Sequence, residues 1–193
     1  MPGIVLCEWF FKATMKKNIF EAAADIFETA KVDYVLIGGF AVNTYGIARN
    51  TADVDFLAPE EDRVKLLKEF EKHDFKISNQ TPIFARLTSE KFTMDLDLLF
   101  VDAETLKEVA AHGKSVTITG RMLKVPSIDH LIALKLHAIK NDSAREASDT
   151  ADIVDLIRSV KINPAEASFR ALCLKHGSAS LYEKILTLTG DKK

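Results

Sequence analysis

Four aspartates fall in two pairs with the same spacing, and they are the residues of this sequence best suited to chemistry. Asp53 and Asp55 are two positions apart, as are Asp95 and Asp97. Residues two apart in a strand point to the same face of a sheet, so each pair presents its carboxylates together. Aspartate is depleted in strands and opposed like charges are destabilising, so such pairs are favoured where cations neutralise them. Magnesium fits best, because it takes hard oxygen ligands, usually one or two carboxylates together with substrate phosphates.

A glycine pair, separated by thirteen residues from the first aspartate pair, indicates a phosphate-binding turn. Gly38 and Gly39 end an apolar strand-like run and precede a predicted helix. Backbone N–H groups at a helix start hold phosphates, and glycine lets the chain approach closely. Arg49 and Thr51, just before Asp53, are candidate donors to the same phosphates. Each feature taken singly is common in loops and at strand ends, whereas their combination indicates a metal-dependent nucleotide site.

Lys135 is a further candidate, because it interrupts an otherwise apolar helical stripe. Its ammonium must either extend to solvent or meet an anion. Asp149 and Asp152, three apart on the next predicted helix, either orient Lys135 or Arg145, or cap and solubilise the helix start.

The pattern along the chain predicts an α/β part over residues 18–126 and a helical part over residues 127–193. Asn18, with Glu21 three positions later, indicates the capping box of a first helix. Strands are predicted at 32–37, 53–58, 75–77, 83–87 and 91–100, with a hairpin at 114–119 and 122–125. Helices are predicted at 40–45, after Pro59, and at 127–141, 145–160, 164–176 and 180–188.

Composition bears on size, partners and location. With 193 residues, 47% hydrophobic and 28% charged, the chain suits one globular domain and is too short for two catalytic ones. A net charge of −2 does not favour a broad duplex-binding surface. Cys7 and Cys173 form no close pair, which indicates a reducing compartment. Since no signal peptide or membrane-spanning run is recognisable, we expect a soluble, cytoplasmic protein without membrane contacts.

The glycine pair, the run Arg49-x-Thr51-x-Asp53-x-Asp55 and a later strand aspartate resemble the nucleotidyltransferase superfamily with a DNA polymerase β-like fold. The segment from Leu131 to Leu156 resembles the helical half of the AbiEii-like toxin branch, so the resemblance spans about residues 33–157. It implies an α/β fold with a mixed-sheet nucleotidyltransferase core, flanking helices and a helical C-terminal part.

The resemblance also implies roles for individual residues. Asp53 and Asp55 become the metal pair, and Asp97 the third carboxylate, with Asp95 as the alternative. Two Mg²⁺ ions held by these carboxylates suit an in-line displacement. The triphosphate of an NTP is then bound by a set drawn from both parts of the chain: Gly38, Gly39, Arg49, Thr51 and Lys135.

The expected activity is transfer of NMP from an NTP, such as ATP, to an acceptor hydroxyl. The AbiEii-like resemblance implies the toxin of a bacterial toxin–antitoxin system, with a tRNA or protein acceptor and an antitoxin partner. A small-molecule acceptor, as in antibiotic nucleotidyltransferases, is the first alternative. The second is a non-catalytic binding module, whose expected mark is a broken carboxylate set.

Overall fold

A five-stranded mixed sheet organises residues 17–190, the part of the chain that the computed structural model describes. Cys7 lies outside these residues. The strand order is β1-β2-β5-β4-β3; β2 and β5 are parallel, and the other neighbours are antiparallel. The strands are β1 Val35–Ile37, β2 Asp53–Pro59, β3 Lys76–Thr81, β4 Phe84–Thr88 and β5 Asp95–Val101, with a separate hairpin of β6 Lys114–Ile118 and β7 Arg121–Val125. The predicted α/β class with a mixed sheet is confirmed.

Helices flank the sheet and dominate the C-terminal part. They are α1 Ile19–Ala30, α2 Gly38–Asn43, α3 Arg63–Lys72, α4 Ala103–His112, α5 Ile128–Asn141, α6 Glu146–Val160, α7 Ala167–His176 and α8 Ala179–Thr189. The predicted capping box is present, since Asn18 and Glu21 each accept a hydrogen bond from the other's backbone N–H. None of the helices in residues 17–190 has the length and apolar character that crossing a bilayer requires.

Several predicted boundaries are wrong. β3 continues to Thr81 instead of ending at residue 77, and the helix predicted from residue 164 begins at Ala167. Three further boundaries differ within the α/β part of the chain. The strand predicted from residue 32 begins only at Val35, because Lys31 ends α1 in the left-handed conformation and the N–H of Val32 still bonds to Phe27. The helix predicted from residue 40 begins at Gly38. The strand predicted from residue 91 begins at Asp95, where the ladder with β2 starts.

Helix α4 was not predicted at all. Asp102 caps it by accepting a hydrogen bond from the backbone N–H of Thr105, and Leu106 and Val109 are its buried residues. An aspartate cap before a short apolar repeat is a recognisable helix start, so the sequence did contain this information.

The alternation of β2 and β5 divides the sheet into a core face and a polar face. Alternate residues of both strands, Val54 and Leu96 among them, are fully buried in the main core with α1, α3, α5 and α6. On the opposite face, Leu57 packs with Leu106 of α4 in a smaller apolar cluster. Asp55 precedes Leu57 by two positions, so it belongs to this second face, which α4 covers only in part.

Candidate active site

Three carboxylates meet where β2 and β5 begin, and we call them the carboxylate triad. The parallel register places Asp55 opposite Asp97 and Asp53 opposite Asp95. Side-chain oxygens of Asp53, Asp55 and Asp97 all lie within 4.8 Å of one another. Asp97 is buried, whereas Asp53 and Asp55 are partly exposed. Of the two candidates for a third carboxylate, the structure thus brings Asp97 to the pair, while Asp95 lies outside this group.

The triad is electrostatically suited to a cation. Burial, followed by the charges of Asp53 and Asp97, raises the pKa of Asp55 to about 7, and Arg145 and Lys135 only partly offset this. Burial is the larger cause of this rise, repulsion from Asp53 and Asp97 adds to it, and the neighbouring cations do not cancel the two effects. Three hard oxygen donors in one small, partly exposed group fit Mg²⁺, which would remove that repulsion.

Gly38 permits the close approach of α2 to the triad. Ile37 is paired with Asp55, so the chain turns into α2 directly beside this carboxylate. Gly38 has a φ of +67°, and a Cβ there would lie 1.9 Å from Oδ2 of Asp55. Only glycine satisfies both the backbone conformation and this contact.

The other predicted phosphate-binding residues form a polar group at the outer end of the triad. A Cβ on Gly39 would lie 2.7 Å from Cβ of Thr51 and 2.9 Å from Nη1 of Arg49. Thr51 donates a hydrogen bond of 2.9 Å to Oδ1 of Asp53. Asn43, a residue that the sequence did not single out, holds the backbone N–H and C=O of Arg49 through two bonds of 3.0 Å. The turn and the 49–51 loop are therefore fixed next to the carboxylates.

Lys135 lies in a buried charge network that joins α5 and α6 to this loop. Its ammonium donates to Asp149 at 2.9 Å and to Asp152 at 2.6 Å. Asp152 also pairs with Arg49 at 3.1 Å, and Asp149 accepts from Arg145 at 2.9 Å. The two aspartates therefore orient Lys135 and Arg145, the first of the two alternatives that their spacing left open.

This network keeps Asp149 ionised although the residue is fully buried. Burial by itself raises the pKa of a carboxyl group. The charge of Lys135 and the hydrogen bonds from Arg145 and Lys135 outweigh that effect and hold the pKa of Asp149 below its usual value.

Arg86 is a second residue at the site, after Asn43, that the sequence analysis missed. It lies opposite Asp97 in the β4–β5 ladder. Its Nε and Nη2 donate to the two oxygens of Asp97 at 2.8 and 2.6 Å, and Nη2 lies 3.4 Å from Oδ2 of Asp53. The hydrogen bond with Asp97 raises the pKa of Arg86 further. Strand alternation in the sequence predicts that Arg86 lies on the face opposite Ala85 and Leu87. Its contact with Asp97 could not be predicted, because it depends on β4 and β5 being neighbours in the sheet.

A cleft of about 570 Å³ opens on the other side of the triad, between the sheet and α5. Asp55 and Asp97 lie at one end of it. Its walls are mainly apolar and include Phe84, Leu99, Val101, Leu131, Leu134 and Ala138. The buried Lys135 and the more exposed Arg145 also line it.

A mixed sheet that carries a carboxylate triad on two parallel strands, beside a Gly-Gly turn, defines the nucleotidyltransferase class. The chain belongs to a nucleotidyltransferase family, because residues 16–172 match the family described as "Nucleotidyl transferase of unknown function (DUF2204)". The resemblance to the superfamily is thereby confirmed, while the AbiEii-like branch stays a prediction. No curated protein matches the sequence.

Solved structures with the same fold include three of particular relevance. Lincosamide antibiotic adenylyltransferase LnuA, bound to lincomycin, has a TM-score of 0.51 and 18% identity, with 72% of this chain and 98% of that chain covered. The antibiotic-resistance factor ANT(2'')-Ia has a TM-score of 0.51 and 15% identity over 86% of this chain and 85% of its own. An antigenic nucleotidyltransferase-like protein from Paracoccidioides brasiliensis has a TM-score of 0.53 and 21% identity over 87% of each chain. At these identities the likeness shows the fold.

Proposed function

We propose that this protein is a metal-dependent nucleotidyltransferase that transfers NMP from an NTP to an acceptor hydroxyl and releases pyrophosphate. The observation that carries the proposal is the carboxylate triad, with side-chain oxygens within 4.8 Å beside the Gly38–Gly39 turn. Burial, together with repulsion from Asp53 and Asp97, raises the pKa of Asp55, and this supports a cation site rather than a solvated acidic surface. A non-catalytic module is disfavoured, because its expected mark, a broken carboxylate set, is absent among the described residues.

In this proposal Asp53, Asp55 and Asp97 hold two Mg²⁺ ions. When bound, these ions neutralise charge on the attacking and leaving oxygens of an in-line displacement. A bond forms between the acceptor oxygen and the α-phosphorus, and the bond from that phosphorus to the bridging oxygen of pyrophosphate breaks. Asp97 orients the acceptor hydroxyl and takes up its proton, which then passes to water.

The polar group around the turn binds the triphosphate. Gly38 and Gly39 let the phosphates approach the backbone, and Thr51 and Arg49 donate hydrogen bonds to them. Lys135 adds charge from above, since two of its three N–H donors bond to Asp149 and Asp152 and one is left for a phosphate. We propose that residues 18–126 supply the carboxylates and residues 127–193 supply Lys135.

For the acceptor, a small molecule is the better supported class. LnuA is described as a lincosamide adenylyltransferase with lincomycin bound, and ANT(2'')-Ia is described in complex with adenylyl-2''-tobramycin, at a TM-score of 0.50. The toxin role, with a tRNA or protein acceptor and an antitoxin partner, has the support of the 131–156 segment alone and stays a prediction.

Titration calorimetry with ATP, with and without Mg²⁺, tests the proposal. We expect Mg²⁺-dependent binding in the micromolar range or tighter for the unmodified protein. Asp53→Asn/Asp55→Asn should abolish it, while the matched control Asp95→Asn, on the same sheet but outside the triad, should retain it. Circular dichroism checks that each variant is folded. Binding that is absent from the unmodified protein, or unchanged in the double variant, would show that the triad is structural.

A further inference from the structure

We propose that the cleft beside the triad binds the acceptor, and that the acceptor is a small molecule whose hydroxyl is attached to an apolar, ring-sized body. This inference rests on the proposed nucleotidyl transfer and narrows its acceptor class. It follows from three properties of the cleft: its position relative to the phosphate-binding group, its exposed apolar walls, and the pairing of its charged residues.

Position is the first argument. The group formed by Gly39, Thr51 and Arg49 contacts the triad at Asp53, and none of these four residues lines the cleft. Gly38 and Lys135, which are also assigned to the triphosphate, do line it, with Gly38 directly beside Asp55. The cleft meets the triad at Asp55 and Asp97 and runs from there along β5 toward Val101. In an in-line displacement the nucleophile enters opposite the leaving group. Pyrophosphate leaving toward Thr51 and Arg49 therefore places the acceptor in the cleft.

The walls are the second argument. β5 is a central strand of the sheet, yet Leu99 and Val101 remain partly exposed on the cleft face. Leu134 of α5 is partly exposed across from them, and Ile83 in the β3–β4 turn is 54% exposed. A volume of about 570 Å³ lies within the range of small-molecule sites, roughly 300–1,000 Å³. Burying an apolar body here removes these side chains from water.

The charge of the cleft lining is the third argument, and it disfavours a polyanion such as RNA as the acceptor. Within residues 17–190, the lysine and arginine that line the cleft are Lys135 and Arg145, and both are paired with Asp149. The one donor of Lys135 that these pairs leave over is already assigned to the triphosphate of the NTP. RNA binding draws on lysines and arginines that are free to contact phosphates. Asp142 at the mouth adds a negative charge. The cleft therefore suits a neutral or cationic molecule better than the end of a tRNA.

A matched pair of bulky substitutions on α5 tests the assignment. Ala138 lines the cleft, whereas Lys140, two residues further along the helix, is exposed and does not line it. Ala138→Phe fills the cleft without touching the triad, and Lys140→Phe adds the same bulk elsewhere. The probes are two apolar alcohols, benzyl alcohol and cyclohexylmethanol, with glycerol as the polar comparison. Saturation-transfer NMR measures binding of these probes. Calorimetry measures binding of Mg²⁺-ATP.

We expect both apolar alcohols to bind the unmodified protein and Lys140→Phe, and glycerol to bind neither. Ala138→Phe should weaken alcohol binding about tenfold or more while leaving the Kd for Mg²⁺-ATP within about twofold. Equal loss of ATP binding in Ala138→Phe would mean that the nucleoside occupies the cleft and would overturn the inference. Transfer of label from α-labelled ATP to total tRNA would also overturn it. Absence of Mg²⁺-ATP binding in the unmodified protein would instead refute the proposed function itself, so the two failures are distinguishable.

Discussion

The guanidinium of Arg86 forms a two-point hydrogen-bonded pair with the carboxylate of Asp97, the buried member of the triad. The pair is set by the antiparallel β4–β5 register, which places the two residues opposite each other. Through its 3.4 Å contact with Asp53, the same guanidinium reaches a second carboxylate. Arg86 is thus a counter-ion that the protein itself supplies to the triad.

Replacing Arg86 by methionine should make the protein depend more strongly on divalent cations. Loss of the guanidinium leaves Asp97 buried without its hydrogen bonds, and we expect the free energy of unfolding without metal to fall by about 1–3 kcal/mol. Mg²⁺ should restore more stability to Arg86→Met than to the unmodified protein, as measured by thermal unfolding in EDTA and in Mg²⁺. Lys76→Met, which removes an exposed cation paired with Glu90, is the control. An equal Mg²⁺ increment in all three proteins would contradict this role.

Asp55→Asn should stabilise the metal-free protein at alkaline pH. Because the folded-state pKa of about 7 lies above the ordinary value of 3.8, ionising Asp55 opposes folding. This penalty is absent below about pH 4, grows between about pH 4 and 7, and is complete above about pH 7. Partial exposure of Asp55 reduces this free-energy penalty. We therefore expect the free energy of unfolding of Asp55→Asn to exceed that of the unmodified protein by about 1–3 kcal/mol at about pH 8. Chemical denaturation in EDTA measures this difference in the free energy of unfolding. The control variant Asp95→Asn should show a smaller gain in stability. Equal gains in the two variants would argue against repulsion within the triad.

Metal binding should release a proton at neutral pH. A divalent cation needs the ionised form of Asp55, whose pKa is raised to about 7, so affinity should fall up to about tenfold per pH unit below that value. Calorimetry with Mn²⁺ in buffers of different ionisation enthalpy counts the protons released. We expect a release that is largest below about pH 7 and disappears at higher pH. Affinity that is constant between about pH 5 and 8 would show that Asp55 is not a ligand.

Gly38→Ala should abolish nucleotide binding because the added Cβ collides with Asp55. The same substitution at Gly46 serves as the control, since it strains the backbone without a collision. Gly38 and Gly46 have φ values of +67° and +83°, so alanine at either costs about 1–2 kcal/mol of backbone strain. A Cβ at Gly46 meets nothing within 4 Å, whereas one at Gly38 lies 1.9 Å from Oδ2 of Asp55. In thermal unfolding, Gly46→Ala should therefore be destabilised by the backbone strain alone, whereas Gly38→Ala should be destabilised further by the clash, and only Gly38→Ala should lose Mg²⁺-dependent ATP binding. Equal binding by both would mean that Asp55 can move aside without loss of the site.

Local pattern was enough to predict much of the fold, and the exceptions have identifiable causes. The capping box at Asn18 and the later helices depend on nearest neighbours and helical periodicity, which are readable along the chain. The strand expected from residue 91 failed because its length depends on β2, a partner that is remote in sequence. Helix α4 was readable from its Asp102 cap but was overlooked.

The sequence by itself determined the candidate residues for the chemistry, because spacing alone puts Asp53 with Asp55 on one face and a glycine turn before them. Alternation by itself does not distinguish Asp95 from Asp97, and the preference for Asp97 came from the resemblance to the nucleotidyltransferase superfamily. Only the parallel register of β2 and β5 brought Asp97 to the pair, and only the β4–β5 pairing supplied Arg86. The cleft beside the triad, too, exists only in the tertiary structure, because its walls come from β4, β5 and α5. Contacts between such distant segments depend on how the sheet is ordered and how α5 packs on it, and no local pattern encodes that order.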